Sequence, residues 1–130
     1  MLVKPDWDTW AMGIAEAVAT RSSCRRSKVG AVLLSAQRWV MSTGYNDAPP
    51  GLPGCETCPR SSSAVPPYAD YRSGAGQCIS VHAEVNALRQ VRNRYTADEI
   101  ASATLYVTRA PCSDCAEAIE QMGVGAVVHP

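Results

Sequence analysis

Residues 104–119 read TLYVTRAPCSDCAEAI, and this stretch predicts a strand followed by a helix. The run TLYVT is rich in β-branched and aromatic residues, which favour strands. Pro111 suits the first turn of a helix, because its missing N–H is not needed there. Cys112 and Cys115 stand three residues apart, so a helix over 112–122 places both thiols on one face. The positive end of the helix dipole there favours thiolates, and thiolates bind metals.

A second polar pair lies in SVHAEVNAL, where His82 and Glu84 stand near the start of a helix predicted over 81–94. His82 and the two cysteines together supply three ligands of the kind that zinc prefers, and a catalytic zinc keeps its fourth position for water. Glu84 is not needed as a ligand, so it is placed to take a proton from that water and pass it to a substrate nitrogen. A lone C-x-x-C pair also occurs in redox sites and a lone H-x-E pair is more often structural, so the combination carries the prediction.

Hydrophobic periodicity and turn residues predict the other elements of a single domain over 1–130. The order αββαβαβ indicates a mixed sheet with helices on its faces. A long stretch rich in Pro, Gly and Ser separates the second strand from the second helix, and such loops are usually functional or pinned by something. The predicted elements are a helix over 6–21, strands over 29–35 and 38–45 joined by Ala36-Gln37, the long loop over 46–78, and strands over 104–108 and 124–129.

Composition narrows the class of protein. Twelve basic residues balance twelve acidic ones, so the overall charge does not favour a nucleic-acid partner. The N-terminal MLVKPDWDTW lacks the apolar core of a signal peptide, and no apolar run approaches the roughly 18 residues of a membrane helix. We therefore expect a cytoplasmic protein without a membrane partner. Its six cysteines favour metal binding over disulfides, because the cytosol keeps thiols reduced.

The order H-x-E followed by P-C-x-x-C is the signature of zinc-dependent nucleoside and nucleobase deaminases. On this basis the chain resembles the cytidine deaminase superfamily, and within it the deoxycytidylate (dCMP) deaminases. The resemblance covers most of the chain and rests on CRRSKVGAVL, STGYNDAPPGLPGC, CISVHAEVNAL and TLYVTRAPCSDCAEAI. It implies an α/β fold, a three-layer α/β/α sandwich with a mixed sheet, which has five strands in family members. Members continue past the fourth predicted strand, so this sequence is a minimal member or lacks a C-terminal piece.

The resemblance also implies an activity, the hydrolytic deamination of a cytosine nucleotide, with dCMP converted to dUMP and ammonia. By this resemblance, His82, Cys112 and Cys115 hold zinc, which activates water for attack on the ring carbon that bears the amine. Glu84 carries the protons. The family's usual GYNG segment ends in Asp47 here, and an acidic side chain there would repel a regulatory triphosphate.

Several residues are candidates for substrate binding. By resemblance, Asn46 matches an asparagine that contacts the sugar, and Asn86 stands one turn after His82, where it can also face the site. A phosphate is well served by arginine forks and by a lysine point charge. Charges between a helix and a strand are also commonly just solvated. The candidates for the phosphate are Arg25, Arg26, Lys28 and Arg109.

Four cysteines remain and flank the long loop: Cys24, Cys55, Cys58 and Cys78. Some dCMP deaminases carry a second, structural zinc in this region, and four thiolates make a closed structural site. Such a site would pin a loop that has little apolar content of its own. The alternative is that Cys24 and Cys78 are buried small hydrophobes and the loop pair is free.

Other functions of the same fold stay open. HAEVNALRQ and TLYVT also resemble segments of tRNA adenosine deaminases and riboflavin-pathway enzymes, so the substrate could be a free nucleoside or base, a modified cytosine nucleotide, or tRNA adenosine. Zero net charge disfavours RNA, because phosphate contacts need surplus Lys and Arg. A non-catalytic zinc scaffold has no use for Glu84. By resemblance, we also expect a homo-oligomer.

Overall fold

The structure, a computed structural model, describes residues 3–24, 27–47 and 81–130. These residues form a four-stranded mixed sheet in the order β2-β1-β3-β4, with helices on both faces. β1 is antiparallel to β2 and β3, and β3 is parallel to β4. The predicted three-layer α/β/α sandwich is therefore confirmed. The elements are α1 (Trp7–Ala19), β1 (Gly30–Leu34), β2 (Val40–Tyr45), α2 (Ala83–Val91), α3 (Ala97–Ala101), β3 (Thr104–Val107), α4 (Ser113–Met122) and β4 (Ala126–Val128).

The predicted hairpin over 29–45 is present, with a longer turn than the sequence indicated. The backbone N–H of Ser35 donates to Trp39 O at 2.9 Å, and Arg38 adopts a left-handed φ of 69° inside the turn. β2 therefore begins at Val40, two residues later than predicted. All five residues of β1 are buried, because helices cover the central strand on both faces.

One face of the sheet is covered by α1. The carboxylate of Asp6 caps this helix by accepting a hydrogen bond from the Thr9 N–H at 2.7 Å. The helix lies against β1 so closely that a Cβ atom on Gly30 would stand 1.9 Å from Ala15 O. Glycine at position 30 therefore permits this layer to form. The buried residues on this face are Ala11, Ala15, Val32, Leu34 and Tyr106.

The opposite face is covered by α2, α3 and α4, and it contains the larger core. Here too a glycine sets the distance between layers, since a Cβ on Gly44 of β2 would stand 2.3 Å from Ala83 O in the first turn of α2. The start of α2 therefore rests directly on the end of β2. The core residues on this face, from the helices and from the strands beneath them, include Ala31, Leu33, Met41, Ala83, Ala87, Leu88, Val91, Ile100, Leu105, Val107 and Ile119.

The short helix α3 was not predicted. Thr96 and Glu99 form a capping box, in which each side chain accepts a hydrogen bond from the other residue's backbone N–H. Ile100 anchors the helix in the core. The helix predicted over 81–94 ends at Val91, so the chain is free to turn into this extra element.

A single β-bridge joins Asp47 and Val81. The Val81 N–H donates to Asp47 O at 2.7 Å, and the Asp47 N–H donates to Val81 O at 3.2 Å. The two ends of the intervening stretch therefore meet at the end of β2. The predicted long loop lies outside the described residues from position 48 onward.

Candidate active site

The N-termini of α2 and α4 meet at one place. His82 is the N-cap residue of α2 and Cys112 is the N-cap residue of α4. The Cys115 N–H points at Cys112 Sγ, with 3.5 Å between the two atoms. Pro111 therefore lies just outside the helix rather than in its first turn as predicted.

The ligand atoms of His82, Cys112 and Cys115 cluster as a metal site requires. His82 Nδ1 lies 3.1 Å from Cys115 Sγ and 3.5 Å from Cys112 Sγ, and all three ligand atoms lie within 4.8 Å of one another. Ligands bonded to one tetrahedral zinc at 2.0–2.3 Å stand roughly 3.5 Å apart, so the three atoms fit a single zinc ion. Across the described parts of the chain, no other group of three His, Cys, Asp or Glu side chains comes together in this way.

The two thiols have different surroundings. Cys115 is fully buried and Cys112 is half-buried. Burial, the Glu84 carboxylate and the Cys112 thiol together raise the pKa of the Cys115 thiol above its ordinary value. In the metal-free protein, desolvation of the Cys115 thiol therefore outweighs the effect of the helix N-terminus. A bound divalent cation reverses this preference, since a coordinating thiol is deprotonated.

Glu84 lies in the first turn of α2, and only 4% of its surface is exposed. It stands against the Cys115 thiol, close enough for a side-chain hydrogen bond. Burying a carboxylate is costly unless it is paired or hydrogen-bonded, so a buried glutamate at a cluster of metal ligands needs a functional reason.

Of the predicted sugar contacts, Asn46 is buried and bonded to the backbone. Its Nδ2 donates to Ser27 O at 2.7 Å, and its Oδ1 accepts from the Val29 N–H at 2.8 Å. These bonds fix the segment that leads into β1. Asn86 Nδ2 donates to Tyr45 O at 2.8 Å and to Val81 O at 3.4 Å, so this amide joins β2 to the residue before His82.

The predicted phosphate contacts are only partly described. Arg109 is half-buried between β3 and α4, and its Nη1 donates to Ser27 Oγ at 2.9 Å. Lys28 is exposed. Arg25 and Arg26 lie outside the described residues. Of the four predicted phosphate contacts, the structure therefore describes two, and Arg109 is the one that lies next to a metal ligand in the chain, between β3 and Cys112.

Of the four cysteines predicted to bind a second zinc, only Cys24 lies among the described residues. Its side chain is half-buried with a free thiol, and its backbone N–H donates to Ser22 Oγ at 3.1 Å. Cys55, Cys58 and Cys78 lie outside the described residues.

Two serines that the sequence did not single out support the same region. Ser22 Oγ donates to Asn46 O at 2.6 Å, and Ser23 Oγ donates to a carboxylate oxygen of Asp47. They connect the end of α1 to the end of β2. Nothing in the spacing of these serines marks them, because their partners are 24 residues away.

The model of the family described as the cytidine and deoxycytidylate deaminase zinc-binding region matches residues 5–129, and the chain belongs to this family. The chain is 52% identical over 128 residues to the deoxycytidylate deaminase of Mycobacterium phage D29, a match that covers 98% of this chain and 96% of that protein. It is 36% identical to the deoxycytidylate deaminase of Schizosaccharomyces pombe, covering 97% of this chain but 37% of that longer protein. Among solved structures, the dCMP deaminase of cyanophage S-TIM5 in complex with dCMP and dUMP superposes with a TM-score of 0.72 at 27% identity, covering 98% of this chain and 83% of that one.

The predicted resemblance is therefore confirmed, and the chain is a deaminase of the cytidine deaminase superfamily. One zinc is supported by the matched zinc-binding region and by the His82, Cys112 and Cys115 cluster. Within the described ranges, none of the helices has the length and apolar character to cross a membrane.

Proposed function

We propose that this chain converts dCMP to dUMP and ammonia by hydrolysis. The observation that supports this most strongly is the buried Glu84 beside the three clustered metal ligands. A structural zinc is normally closed by four protein ligands, whereas this cluster offers three and a carboxylate next to them. The choice of dCMP follows the deoxycytidylate deaminase of Mycobacterium phage D29, which matches along almost its whole length.

In this proposal His82, Cys112 and Cys115 are the protein ligands of zinc. When bound, zinc lowers the pKa of water enough to make it a nucleophile near neutral pH. The positions of the ligands follow from the fold, because Gly44 brings the start of α2 against β2 and so sets His82 beside α4.

Glu84 is the proposed proton carrier. Its carboxylate accepts a proton from the attacking water and delivers it to the ring nitrogen next to the reacting carbon. It then takes the remaining proton of the added hydroxyl to the leaving amine. The carbon–nitrogen bond breaks, ammonia leaves, and the new carbonyl oxygen comes from water. Glu84 returns to its starting form, so the protons balance over one cycle.

Binding of the monophosphate is assigned to the basic residues at the start of β1 and to Arg109. Arg109 lies nearest in sequence to the Cys112 ligand, and its bond to Ser27 already points it toward the segment before β1. Asn46 and Asn86 are the proposed sugar contacts. Both hydrogens of the Asn86 amide nitrogen are directed to carbonyls, so it would contact the sugar through its oxygen. The full basic set is Arg25, Arg26, Lys28 and Arg109.

A substrate panel tests the proposed function. The specificity constant kcat/KM is measured for dCMP, CMP, deoxycytidine, cytosine and tRNA adenosine with the zinc-loaded protein. Charge-assisted bonds to phosphate contribute about 1.5–3 kcal/mol each, so dCMP is expected to exceed deoxycytidine by roughly tenfold to 100-fold. Equal rates on the two would favour a nucleoside or base deaminase, and a preference for tRNA would favour the adenosine alternative.

We also propose a second, structural zinc bound by Cys24, Cys55, Cys58 and Cys78. Support comes from the free, half-buried thiol of Cys24 close to the end of β2, where the bridge of Asp47 and Val81 closes the long stretch. Metal analysis should give two zinc ions per chain, and the double variant Cys55→Ser with Cys58→Ser should lose one. One zinc per chain in both proteins would contradict this site.

The remaining proposals concern the whole molecule, a single domain over 1–130 that forms a homo-oligomer in the cytoplasm. Trp7 and Trp10 are both exposed and lie in edge-to-face contact, and contiguous exposed apolar patches mark protein–protein contacts. Light scattering at micromolar concentration should give a multiple of 13.9 kDa, and a mass at that value would contradict the oligomer. A single cooperative unfolding transition is expected if residues 1–130 form one domain. Recovery of the protein from the cytosolic fraction is expected if it is cytoplasmic. The exposed large hydrophobic residues include Trp7, Trp10, Trp39, Val40 and Val127.

A further inference from the structure

Asn86 makes hydrogen bonds on both sides of the junction between β2 and α2. Its side-chain nitrogen donates to Tyr45 O at 2.8 Å and to Val81 O at 3.4 Å. Tyr45 is the last residue of β2, and Val81 comes directly before His82. The backbone N–H of Asn86 also donates to His82 O at 3.0 Å. The carbonyl groups of residues 81 and 82 are thus both bonded to this one residue.

We propose that Asn86 is a positioning residue for the metal ligand His82, an inference that rests on the proposed zinc site. His82 is the N-cap of α2 with an extended backbone, and its side chain makes no capping bond. The rotation of its peptide is therefore set by its neighbours. Asn86 ties the peptide before His82 to the end of β2, which is hydrogen-bonded along its length to the buried strand β1, and this fixes the direction in which the imidazole leaves the backbone.

The bridge between Asp47 and Val81 reinforces the same peptide without replacing Asn86. Val81 O accepts from both the Asp47 N–H and Asn86 Nδ2. The bridge holds Val81 beside Asp47, whereas Asn86 links Val81 to Tyr45 and to the body of α2. Losing the amide leaves the bridge in place but frees the start of α2 to turn relative to β2.

Gln90 provides a matched comparison within the same helix. It stands one turn after Asn86, and its Nε2 donates to Thr43 O of β2 and to Asn86 O, the latter at 3.1 Å. Both side chains are therefore amides of α2 that donate to carbonyls of β2. Only Asn86 reaches the peptide next to His82, so only Asn86 should affect the metal ligand.

The inference predicts a change in metal affinity as well as in stability. Removing a group that orients a metal ligand typically lowers the affinity for the metal by tenfold to 100-fold. We therefore expect Asn86→Ala to weaken zinc binding by roughly this factor. Asn86→Asp should weaken it at least as much, because a carboxylate would face the carbonyl oxygens of Tyr45 and Val81 instead of donating to them.

The experiment measures the dissociation constant for zinc by competition with a chromophoric chelator in the wild-type protein, Asn86→Ala, Asn86→Asp and Gln90→Ala. Circular dichroism confirms that each variant is folded, and Asn86→Ser replaces the alanine variant if that one is not. The cobalt-substituted proteins give a second readout, because a turned His82 changes the visible ligand-field bands.

The expected result is weaker binding and altered cobalt bands in the Asn86 variants, with Gln90→Ala within twofold of wild type. The inference is overturned if the folded Asn86 variants bind zinc within twofold of wild type, or if Gln90→Ala weakens binding equally. A wild-type protein that binds no zinc at His82 would instead overturn the proposed function.

Discussion

Gly44 allows the start of α2 to lie directly against β2, so Gly44→Ala is expected to displace the two functional residues of that helix. The added Cβ would stand 2.3 Å from Ala83 O and 2.5 Å from Ala87 N. Both are backbone atoms of the helix, so no side-chain rotation can relieve the overlap. His82 and Glu84 flank Ala83 on either side and must move with it.

The size of the effect follows from these distances. Ordinary van der Waals contact begins at 3.4 Å, so the helix start has to retreat by about 1 Å. Overpacking of this kind costs about 1–3 kcal/mol of stability. For a chain of this length, that loss lowers Tm by roughly 3–12 °C. A displacement of 1 Å at a catalytic group can cost about 100-fold in rate, so the loss of activity should exceed the loss of folded protein.

The assay compares Tm and kcat/KM for dCMP between Gly44→Ala and the control Gly30→Ala. The control creates an even closer overlap, 1.9 Å from Ala15 O, but it displaces α1 on the opposite face of the sheet. We expect both variants to lose stability and only Gly44→Ala to lose about 100-fold in rate per folded molecule. A Gly44→Ala enzyme within threefold of wild type, or equal losses in both variants, would refute this reasoning.

Three further predictions follow from the described contacts. Removing zinc with a chelator should lower Tm and adding zinc back should restore it, because an ion present at 1,000 times its Kd stabilises the folded state by about 4 kcal/mol. Burial and a hydrogen bond to Asp8 raise the pKa of Tyr106, so the folded state favours the neutral phenol. The stability that this phenol contributes is present below about pH 10 and is lost as the pH rises through its folded-state pKa. Urea titrations should therefore show a shallower decline above pH 10 in Tyr106→Phe than in wild type, and identical slopes would contradict the assignment. Gly123 ends α4 with a left-handed φ of 77°, so Gly123→Ala should lower the free energy of unfolding by about 1–2 kcal/mol, measured by thermal or urea unfolding. An added Cβ meets nothing within 4 Å, so kcat/KM should not change. A change in kcat/KM beyond twofold would contradict this.

The sequence was sufficient for the sheet and for the metal cluster, because both have local patterns. Continuous apolar runs mark β1 and β3, and the P-C-x-x-C and H-x-E spacings mark the two helix starts that meet. The missed helix α3 also had a local signal, since Thr96 and Glu99 form the T-x-x-E pattern of a capping box.

Other features depend on partners far away in the chain, so the sequence could not indicate them. Asn46 and Asn86 are predicted as substrate contacts, and the sequence does not show that their amides are also bonded to backbone atoms up to 41 residues away. Gly44 reads as an ordinary strand residue until α2 is placed on it. The raised pKa of Cys115 in the metal-free protein comes from burial and from Glu84, and neither can be read from the C-x-x-C spacing.

We propose that the buried carboxylate of Glu84, beside the three clustered metal ligands, carries protons for the deamination of dCMP. The most direct measurement is kcat for dCMP in zinc-loaded wild type and in Glu84→Gln, with zinc content determined on the same samples. The exposed Glu120→Gln on α4 serves as the control. General acid–base catalysis contributes about 10²–10⁴-fold, so Glu84→Gln should lose at least 100-fold in kcat while retaining its zinc, and Glu120→Gln should match wild type. A zinc-loaded Glu84→Gln protein that deaminates dCMP at the wild-type rate would contradict the account.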